Sequence, residues 1–213
     1  MNKEKAKKIT EKIISMYRDA NGSLNFTTPF EILVAVSLSA QCKDDTVNKV
    51  TSVLFKKYDT PEDFANAKLE DIEEIIHPCG FYKNKAKNLI NAGKKIVKDF
   101  NGKVPETMEE LIQIPGVGRK SANIIMLEGF NKPMGIAVDT HVKRISKRLG
   151  FSKEEDPSKI EQDLLKLIPK KYWKDVNHKF IEFGRNICSS QSPKCNECPF
   201  TNECLYYKNI SKQ

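Results

Sequence analysis

The residues of this sequence with the clearest chemical potential are four cysteines near its end. They are Cys188, Cys195, Cys198 and Cys204, in the pattern C-x6-C-x2-C-x5-C. Thiolates at such spacing close a loop around a metal, and a chain without an export signal is not expected to use them for disulfides. The pattern has one CxxC pair where a zinc ribbon has two, and it matches neither common ferredoxin spacing. The spacing therefore predicts a metal site and leaves zinc and iron–sulfur both open.

A second pattern with chemical meaning is the run IPGVGRK at residues 114–120, which predicts a tight turn between two helices. Proline disfavours helical geometry in the residue before it, so a helix that begins near Thr107 is expected to stop at Ile114. A second helix is expected from about Gly118 to Glu128. Such a turn leaves backbone N–H groups unpaired at the start of the second helix.

The two glycines of this turn, Gly116 and Gly118, suit an anionic partner. Without side chains they let a phosphodiester approach the unpaired N–H groups at a helix N-terminus. Arg119 and Lys120 follow in the first turn of the second helix, where Lys120 would lie beside the bound phosphate. Contacts of this kind recognise a nucleic-acid backbone and not its base sequence.

A third candidate is Asp139, which precedes a helical run from Thr140 to Leu149. At that position a carboxylate caps the helix by accepting backbone N–H groups. A capping carboxylate is held in a fixed rotamer, which suits it to stabilise positive charge on a reacting group and less to remove a proton. His141 is expected to be a helix-surface or packing residue and not a general acid.

The elements that position these residues are helices joined by short turns. A capping box with proline at the first helical position begins at Thr28, and Thr60 and Thr107 are further start signals. No segment alternates polar and apolar residues with β-branched enrichment, so we predict an all-α fold. Cys42 and Cys79 are isolated in this helical frame, and we expect both to be small buried apolar side chains.

Composition excludes some classes of protein but does not identify a partner. The chain has 213 residues, with 36 Lys and Arg against 28 Asp and Glu, for a formal charge of +8. No apolar run approaches the ~20 residues of a membrane span, and the N-terminus has no secretory signal. We therefore expect a soluble, monomeric, cytoplasmic protein, associated with the nucleoid if it is bacterial. A basic pI permits an anionic partner but does not name one.

The charge is unevenly distributed along the chain. Residues 61–80 contain six acids and one lysine, whereas residues 111–150 contain seven bases and two acids. Three of the five arginines, including Arg144, lie in the second stretch. Because a guanidinium donates to phosphate bidentately, this stretch is predicted to face an anionic ligand.

These residues together resemble a known family. Residues 114–118 are similar to the helix–hairpin–helix signature. With Lys120, the run VDTHV at 138–142 and the four terminal cysteines, the sequence resembles the endonuclease III family of DNA glycosylase/AP lyases. The likeness extends from the SAQ run at residues 39–41 to Cys204, which is nearly the whole chain.

The resemblance implies two all-α lobes with a DNA-binding cleft between them. One lobe is a six-helix domain at about 22–133, which contains the helix–hairpin–helix at about 107–129. The other is a discontinuous helical domain formed by 1–21 and 134–213. In the family, four cysteines at this spacing hold a 4Fe–4S cluster, here in the loop 188–204. Since neither hydrolysis nor elimination changes an oxidation state, we expect the cluster mainly to shape this loop.

The resemblance also implies a reaction, the removal of oxidised or damaged pyrimidines from duplex DNA in base excision repair. The family's nucleophilic lysine falls at Lys120, whose amine would attack the sugar C1′ and form a Schiff base. The Schiff base then promotes β-elimination at the resulting abasic site. The family's essential aspartate falls at Asp139.

Several residues are expected to contact DNA. Gln41 and Phe81 fall where the family inserts residues into the duplex to fill the space of a flipped base. Phe81 replaces the aliphatic wedge expected there, and a core aromatic is the alternative. Lys194 is the one base in the loop 189–194, where relatives often carry several, so DNA contact there is expected to be weaker. The remaining candidates are in or near the hairpin: Gly116, Gly118, Arg119 and Arg144.

Other functions remain possible from the residues alone. Adenine-mismatch and thymine-mismatch glycosylases of the same superfamily lack the lysine nucleophile, so Lys120 weighs against both, and residues 34–38 lack the carboxylate of the first. A non-catalytic helix–hairpin–helix DNA-binding protein is a third alternative, against which Lys120 and Asp139 together argue. A zinc-stabilised scaffold is a fourth, and it would be colourless where an iron–sulfur protein is yellow-brown.

Overall fold

The computed structural model describes residues 1–211, and within that range the chain forms helices, turns and bends without a strand. The all-α prediction is therefore confirmed. The twelve α-helices of the described residues are α1 Lys3–Met16, α2 Pro29–Ser39, α3 Asp44–Leu54, α4 Pro61–Asn66, α5 Leu69–Ile76, α6 Tyr82–Phe100, α7 Met108–Leu111, α8 Arg119–Ile124, α9 Thr140–Leu149, α10 Pro157–Leu167, α11 Trp173–Asn186 and α12 Leu205–Ile210. None of these helices is long and apolar enough to cross a membrane.

The helices divide into two compact units, one formed by residues 23–132 and the other by residues 1–22 with the chain from residue 133 onward. In the first unit, α2 is apolar on all sides and is buried from Phe30 to Val36. A helix with this pattern belongs in a protein interior. Helices α3, α6 and α8 pack against it, and α5 packs against α3 and α6.

Helix starts in this unit follow their sequence signals with one exception. At Thr60 the capping box is complete, because its hydroxyl accepts from the Asp63 N–H while the Asp63 carboxylate accepts from the Thr60 N–H. The Thr28 hydroxyl likewise accepts from the Glu31 N–H at 3.1 Å. However, the Glu31 carboxylate returns to Thr27 and not to Thr28, so the reciprocal half of the predicted box is displaced by one residue.

The hairpin in the structure differs from the predicted one in the length and regularity of its helices. Helix α7 ends at Leu111, three residues before the expected end at Ile114, since the N–H groups of Gln113 and Ile114 make three-residue turn bonds. After the turn, α8 continues into a π-helical segment at Ile125–Gly129. Gly129 lies against α2, where an added Cβ would be 3.1 Å from Ile32 Cγ2.

The second unit packs α9 against α10, α11 and α12, with α1 against α10 and α11. Its core is rich in fully buried phenylalanines, including Phe180 and Phe183 on α11. Helices α9 and α11 approach closely because Gly184 has no side chain. A Cβ there would be 2.9 Å from Arg144 Nη2 and 3.0 Å from His141 Cδ2.

A testable consequence concerns Gly93, where α6 packs against α4. A Cβ at this position would be 2.7 Å from the Pro61 carbonyl oxygen and 2.9 Å from the Ala65 nitrogen, both backbone atoms. Although alanine favours a helix by about 1 kcal/mol over glycine, we expect Gly93→Ala to lower the free energy of unfolding by about 1–3 kcal/mol through overpacking.

Denaturant unfolding measures this effect, with Asn91→Ala on the exposed side of the same helix as the control. The control gains helix propensity without a clash, so its stability is expected to be unchanged or slightly higher. Equal stability of the two variants would contradict the packing described for α4 and α6.

Candidate functional site

The two glycines of the hairpin turn are both exposed, but they differ in what lies next to them. Gly116 has φ +84°, and a Cβ there would be 3.2 Å from Asn88 Cβ on α6, so this glycine is needed both for the turn and for close packing. Gly118 caps α8, and no atom lies within 4 Å of where its Cβ would be. Ile114 and Val117 anchor the turn in the core. A ligand from solvent can therefore approach the start of α8 at Gly118.

Lys120 is the second residue of α8, and its side chain is exposed. Its ammonium has no hydrogen-bond or ion-pair partner among residues 1–211. The other three lysines of the stretch 111–150 all pair with carboxylates: Lys132 with Glu106, and Lys143 and Lys147 with Glu155. Lys120 thus differs from the other lysines of this basic stretch. Arg119, half-buried, precedes it as the first residue of the helix.

Asp139 caps α9, as its sequence position predicts. Its Oδ1 accepts the backbone N–H groups of His141 at 2.9 Å and Val142 at 2.8 Å. Its Oδ2 lies 3.1 Å from His141 Nδ1, and 15% of the side chain is exposed. The carboxylate is thereby held in one orientation. His141 also packs over Gly184, in agreement with the packing role expected for it.

Arg144, a predicted DNA contact, makes two bonds inside its own unit. Its Nε donates to the Cys188 carbonyl at 3.0 Å, and its Nη2 donates to the Gly184 carbonyl at 3.1 Å. These bonds hold the beginning of the cysteine loop against α9. A DNA contact by Arg144 stays a prediction, while the structure assigns it a second task that the sequence did not suggest.

Arg148 is a residue that sequence reasoning counted only as a positive charge. Its guanidinium donates to Cys188 Sγ at 3.3 Å, to the Ser189 carbonyl at 2.6 Å and to the Ser190 carbonyl at 2.9 Å. It also stacks on Tyr206, with 4.3 Å between the guanidinium carbon and the ring centroid. Arg148 therefore binds both ends of the cysteine segment. Its four-residue spacing from Arg144 places both side chains on one face of α9, which was the available signal.

The four cysteines line one cavity. Apolar and aromatic side chains form much of the remaining wall, among them Phe183, Ile187 and Tyr207. No three His, Cys, Asp or Glu side chains of the described residues converge on a point as ligands of a single ion would.

Burial changes the acidity of two of these thiols. It raises the pKa of Cys198 to about 11, with smaller contributions from the other three cysteines. Burial also raises the pKa of Cys204. The Tyr207 N–H, which donates to the Cys204 sulfur at 3.4 Å, has a smaller effect in the opposite direction. Thiolates at these positions thus need a positively charged partner, which a metal centre provides.

Gln41 and Phe81 lie at two loops that the fold brings together. Both have left-handed backbones, with φ values of 54° and 58°, and both side chains are exposed, Phe81 to 65%. A Cβ on Gly80 would be 3.8 Å from the Gln41 carbonyl oxygen. This exposure rules out the alternative that Phe81 is a core aromatic.

Cys42 and Cys79 are not isolated, contrary to expectation. They flank Gln41 and Gly80, and both pack in the core of the first unit, near enough to each other for Cys42 to affect the pKa of Cys79. Cys79 is fully buried as expected, whereas Cys42 is half-buried. Burial, with a smaller effect of Cys42, raises the pKa of Cys79 to about 11, so this thiol is unreactive near neutral pH.

Lys194, the predicted contact in the cysteine loop, is exposed. Its Nζ lies 3.9 Å from a carboxylate oxygen of Glu197, while its backbone N–H donates to the Ile187 carbonyl at 2.9 Å. A surface ion pair of this length contributes little. The side chain is therefore available to another anion, and its contact with DNA stays a prediction.

Comparisons with known proteins agree with the fold and with the hairpin. A family model described as the HhH-GPD superfamily of base excision DNA repair proteins matches residues 34–170. That range includes the hairpin, Lys120 and Asp139. Superfamily members share a fold for DNA base excision, and a finer comparison separates them.

Full-length relatives give that finer comparison. Endonuclease III of Synechocystis sp. is 46% identical over 95% of this chain and 92% of its own length, and that of Bacillus subtilis is 46% identical over 91% and 89%. The solved structure of a trapped endonuclease III–DNA covalent intermediate matches with a TM-score of 0.92 and 42% identity, covering 99% of each chain. The chain belongs to the endonuclease III family, which confirms the resemblance inferred from its motifs.

Proposed function

We propose that this chain removes damaged pyrimidines from duplex DNA and then cleaves the strand at the abasic site, with Lys120 as the nucleophile. Membership of the family makes the chain a base-excision DNA glycosylase with lyase activity. The proposal concerns the substrate class and the residues that act on it. A trapped covalent complex between endonuclease III and DNA, in a structure 42% identical to this chain, supports a covalent route.

The observation that carries the proposal is the exposed, unpaired ammonium of Lys120. Its side chain is exposed and without a partner among the described residues, whereas its three lysine neighbours in the stretch 111–150 are ion-paired. It follows Gly118, whose backbone is open to solvent. A phosphodiester bound at the start of α8 would bring the adjoining sugar next to this amine.

The reaction uses the lone pair of the neutral lysine amine. Nζ of Lys120 attacks C1′ of the damaged nucleotide, and the bond from C1′ to the base breaks with the electron pair leaving on the base, which takes up a proton. Ring opening at O4′ then gives a Schiff base between Nζ and C1′. Loss of a C2′ proton breaks the bond between C3′ and the 3′ phosphate oxygen, and water finally releases the lysine.

Asp139 is proposed to stabilise the positive charge that develops on the sugar as the base departs. Two backbone N–H groups and the His141 ring hold its carboxylate in one orientation. A preoriented charge of this kind contributes more than a mobile one, because little reorganisation is needed at the moment of reaction. It is a charge stabiliser in this proposal and not the nucleophile.

Gln41 and Phe81 are proposed to fill the space that the extruded nucleotide leaves in the duplex. Their exposure and the short distance between their loops support this role. The phenyl ring of Phe81 can stack on a neighbouring base, while the amide of Gln41 can hydrogen-bond to an orphaned one. Gly116, Gly118 and Arg119 are proposed to bind the DNA backbone.

The cysteine cavity is proposed to hold a 4Fe–4S cluster, with one iron ligand from each cysteine of the set Cys188, Cys195, Cys198 and Cys204. The four thiols line one cavity, and their spacing is the one implied for the cluster by the endonuclease III family, to which the chain belongs. When bound, the cluster supplies covalent closure of the loop 188–204. Since Arg144 and Arg148 bind the start of this loop, its closure would steady α9, the helix that Asp139 caps.

Replacement of the nucleophile tests the proposal directly. Borohydride is expected to trap a covalent complex between the wild-type chain and an abasic duplex, and Lys120→Gln is expected to abolish trapping because it has no amine. Lys132→Gln, which removes an ion-paired lysine of the same stretch, is the control and should trap as the wild type does. Denaturing gel electrophoresis measures the complex.

Trapping that persists in Lys120→Gln would overturn the assignment of the nucleophile. Base release without any trapping in the wild type would point to a monofunctional glycosylase. Binding of duplex without base release or trapping would point to a non-catalytic DNA-binding protein.

A second prediction separates the catalytic and capping roles of Asp139. Asparagine caps helices nearly as well as aspartate, so Asp139→Asn should retain most of the stability of α9. It removes the charge, and we expect the rate of base release to fall by about 100-fold or more. Single-turnover kinetics with a duplex that contains an oxidised pyrimidine measure the rate.

Asp156→Asn is the matched control, since Asp156 caps α10 with the same pattern of two N–H groups accepted by one carboxylate oxygen. The two variants should have similar melting temperatures, and only Asp139→Asn should be slow. A near-wild-type rate for Asp139→Asn would leave this residue with its structural role alone.

A third prediction concerns the cluster. Purified protein is expected to be yellow-brown and to contain iron and acid-labile sulfide in equal amounts, whereas Cys198→Ser should lose much of both. Cys79→Ser, at a buried cysteine outside the cavity, should retain them. Colourless wild-type protein with bound zinc would contradict the assignment.

A further inference from the structure

Lys85 on α6 is a buried lysine whose partners are backbone carbonyls. It is 8% exposed, and its Nζ donates to the Leu38 carbonyl at 2.8 Å and to the Ala40 carbonyl at 2.8 Å. No carboxylate pairs with it within the described chain. A lysine this buried is rare, and the expense of removing its charge from water needs a structural or functional reason.

The place of these carbonyls explains why a cation is suited to them. Helix α2 ends at Ser39, so the Leu38 carbonyl is one of its last and has no partner within the helix. The carbonyl end of a helix also carries partial negative charge, which attracts a cation. The Ala40 carbonyl lies just beyond that end. Lys85 therefore fixes the direction in which the chain leaves α2.

The next residue along the chain is Gln41, which has a left-handed backbone with φ 54°. Such a conformation costs a non-glycine residue about 1 kcal/mol or more and persists only where its surroundings impose it. The two bonds from Lys85 fix the peptide immediately before Gln41. The same lysine donates its backbone N–H to the Phe81 carbonyl at 3.1 Å, and Phe81 is left-handed as well. This last bond belongs to the helix backbone, whereas the side chain of Lys85 fixes the peptide before Gln41. The segment that carries Phe81 lies against that peptide, since a Cβ on Gly80 would be 3.8 Å from the Gln41 carbonyl oxygen.

We propose that Lys85 is a positioning residue for base extrusion, which holds Gln41 and Phe81 at the spacing and orientation that they need to enter the duplex. This inference rests on the proposed function for those two residues. Lys85 itself is buried and acts through the carbonyls that it binds. A displacement of about 1 Å at a positioned group can slow a reaction by about 100-fold, so loss of these bonds should be visible in the rate.

The chain provides a matched control in its other unit. Lys179 is 3% exposed, and its Nζ also donates to two backbone carbonyls, those of Arg18 at 2.7 Å and Ala20. Lys179→Met and Lys85→Met therefore remove the same kind of buried ammonium. Only the second removes it from the backbone that carries Gln41.

The first measurement is amide hydrogen exchange in the free protein. In Lys85→Met, amides of residues 38–42 and 79–82 are expected to exchange about tenfold faster or more than in the wild type. In Lys179→Met these amides should be unchanged. Unchanged exchange at both segments in Lys85→Met would overturn the proposal.

The second measurement separates extrusion from chemistry. On a duplex with an oxidised pyrimidine, Lys85→Met is expected to lower the single-turnover rate of base release by about 10- to 100-fold. On a single-stranded abasic oligonucleotide, where no base is extruded, its borohydride-trapping rate should stay within about twofold of the wild type. Equal slowing on both substrates, or on neither, would overturn the proposal.

A double variant tests whether the effect passes through the two exposed residues. Gln41→Ala with Phe81→Ala removes only exposed side chains and should lower the duplex rate, and adding Lys85→Met should slow it by less than about twofold more. Full additivity would overturn the proposal. If Lys85→Met does not fold, Lys85→Arg takes its place, because arginine keeps hydrogen-bond donors but places them at a different distance from the backbone. For that variant, a wild-type rate on duplex DNA together with faster exchange at residues 38–42 would overturn the proposal.

Failure of the proposed function has a different result. A wild-type chain that neither releases bases nor traps on abasic DNA would overturn the proposed function. The exchange measurement needs no DNA, so it would still support or overturn the hold of Lys85 on the two loops.

Discussion

The constraint on which this structure depends is the need to satisfy backbone carbonyls where helices end. In a chain built from helices, the candidate functional residues lie in the connections or in the first turn of a helix, and the last carbonyls of each helix have no partner within it. Long cationic side chains supply the donors. Lys85 and Lys179 each bind two carbonyls, and Arg144 and Arg148 bind the peptide groups that begin the cysteine loop. The same bonds that satisfy these carbonyls also fix irregular backbone in one conformation.

Because cations are used in this way, the positive charge of the chain does not serve only to attract phosphate. Residues 111–150 contain seven bases, but the lysines other than Lys120 pair with carboxylates, and Arg144 and Arg148 face backbone oxygens. The stretch is therefore not a uniform surface for attracting phosphate. Its basic residues support the architecture around a small number of reactive groups, and Lys120 stands out because it is not used in this way.

The features that the sequence predicts correctly are local, and those that it does not predict join distant parts of the chain. The caps at Thr60 and Asp139 depend on neighbours within three residues, so their motifs predicted them correctly. The early end of α7 was missed because the strong signal of Pro115 concealed the turn bonds that precede it. The bonds of Lys85 join residues 45 and 47 positions apart, and the contact of Cys42 with Cys79 is also remote in sequence. No spacing rule reports such pairs, since only packing of the helices creates them.

The π-helical segment that continues α8 has a consequence for how this part of the chain tolerates insertions and deletions. A π turn contains one more residue than an α turn of the same helix, and each residue of an α-helix advances by about 100° around its axis. Gly129 ties the far end of the segment to Ile32 on α2. Deletion of a single residue within Ile125–Gly129 would restore a regular helix and turn the face that carries Lys120 by about 100° relative to that contact. The direction in which the Lys120 side chain points therefore depends more on the number of residues in this segment than on the identity of their side chains.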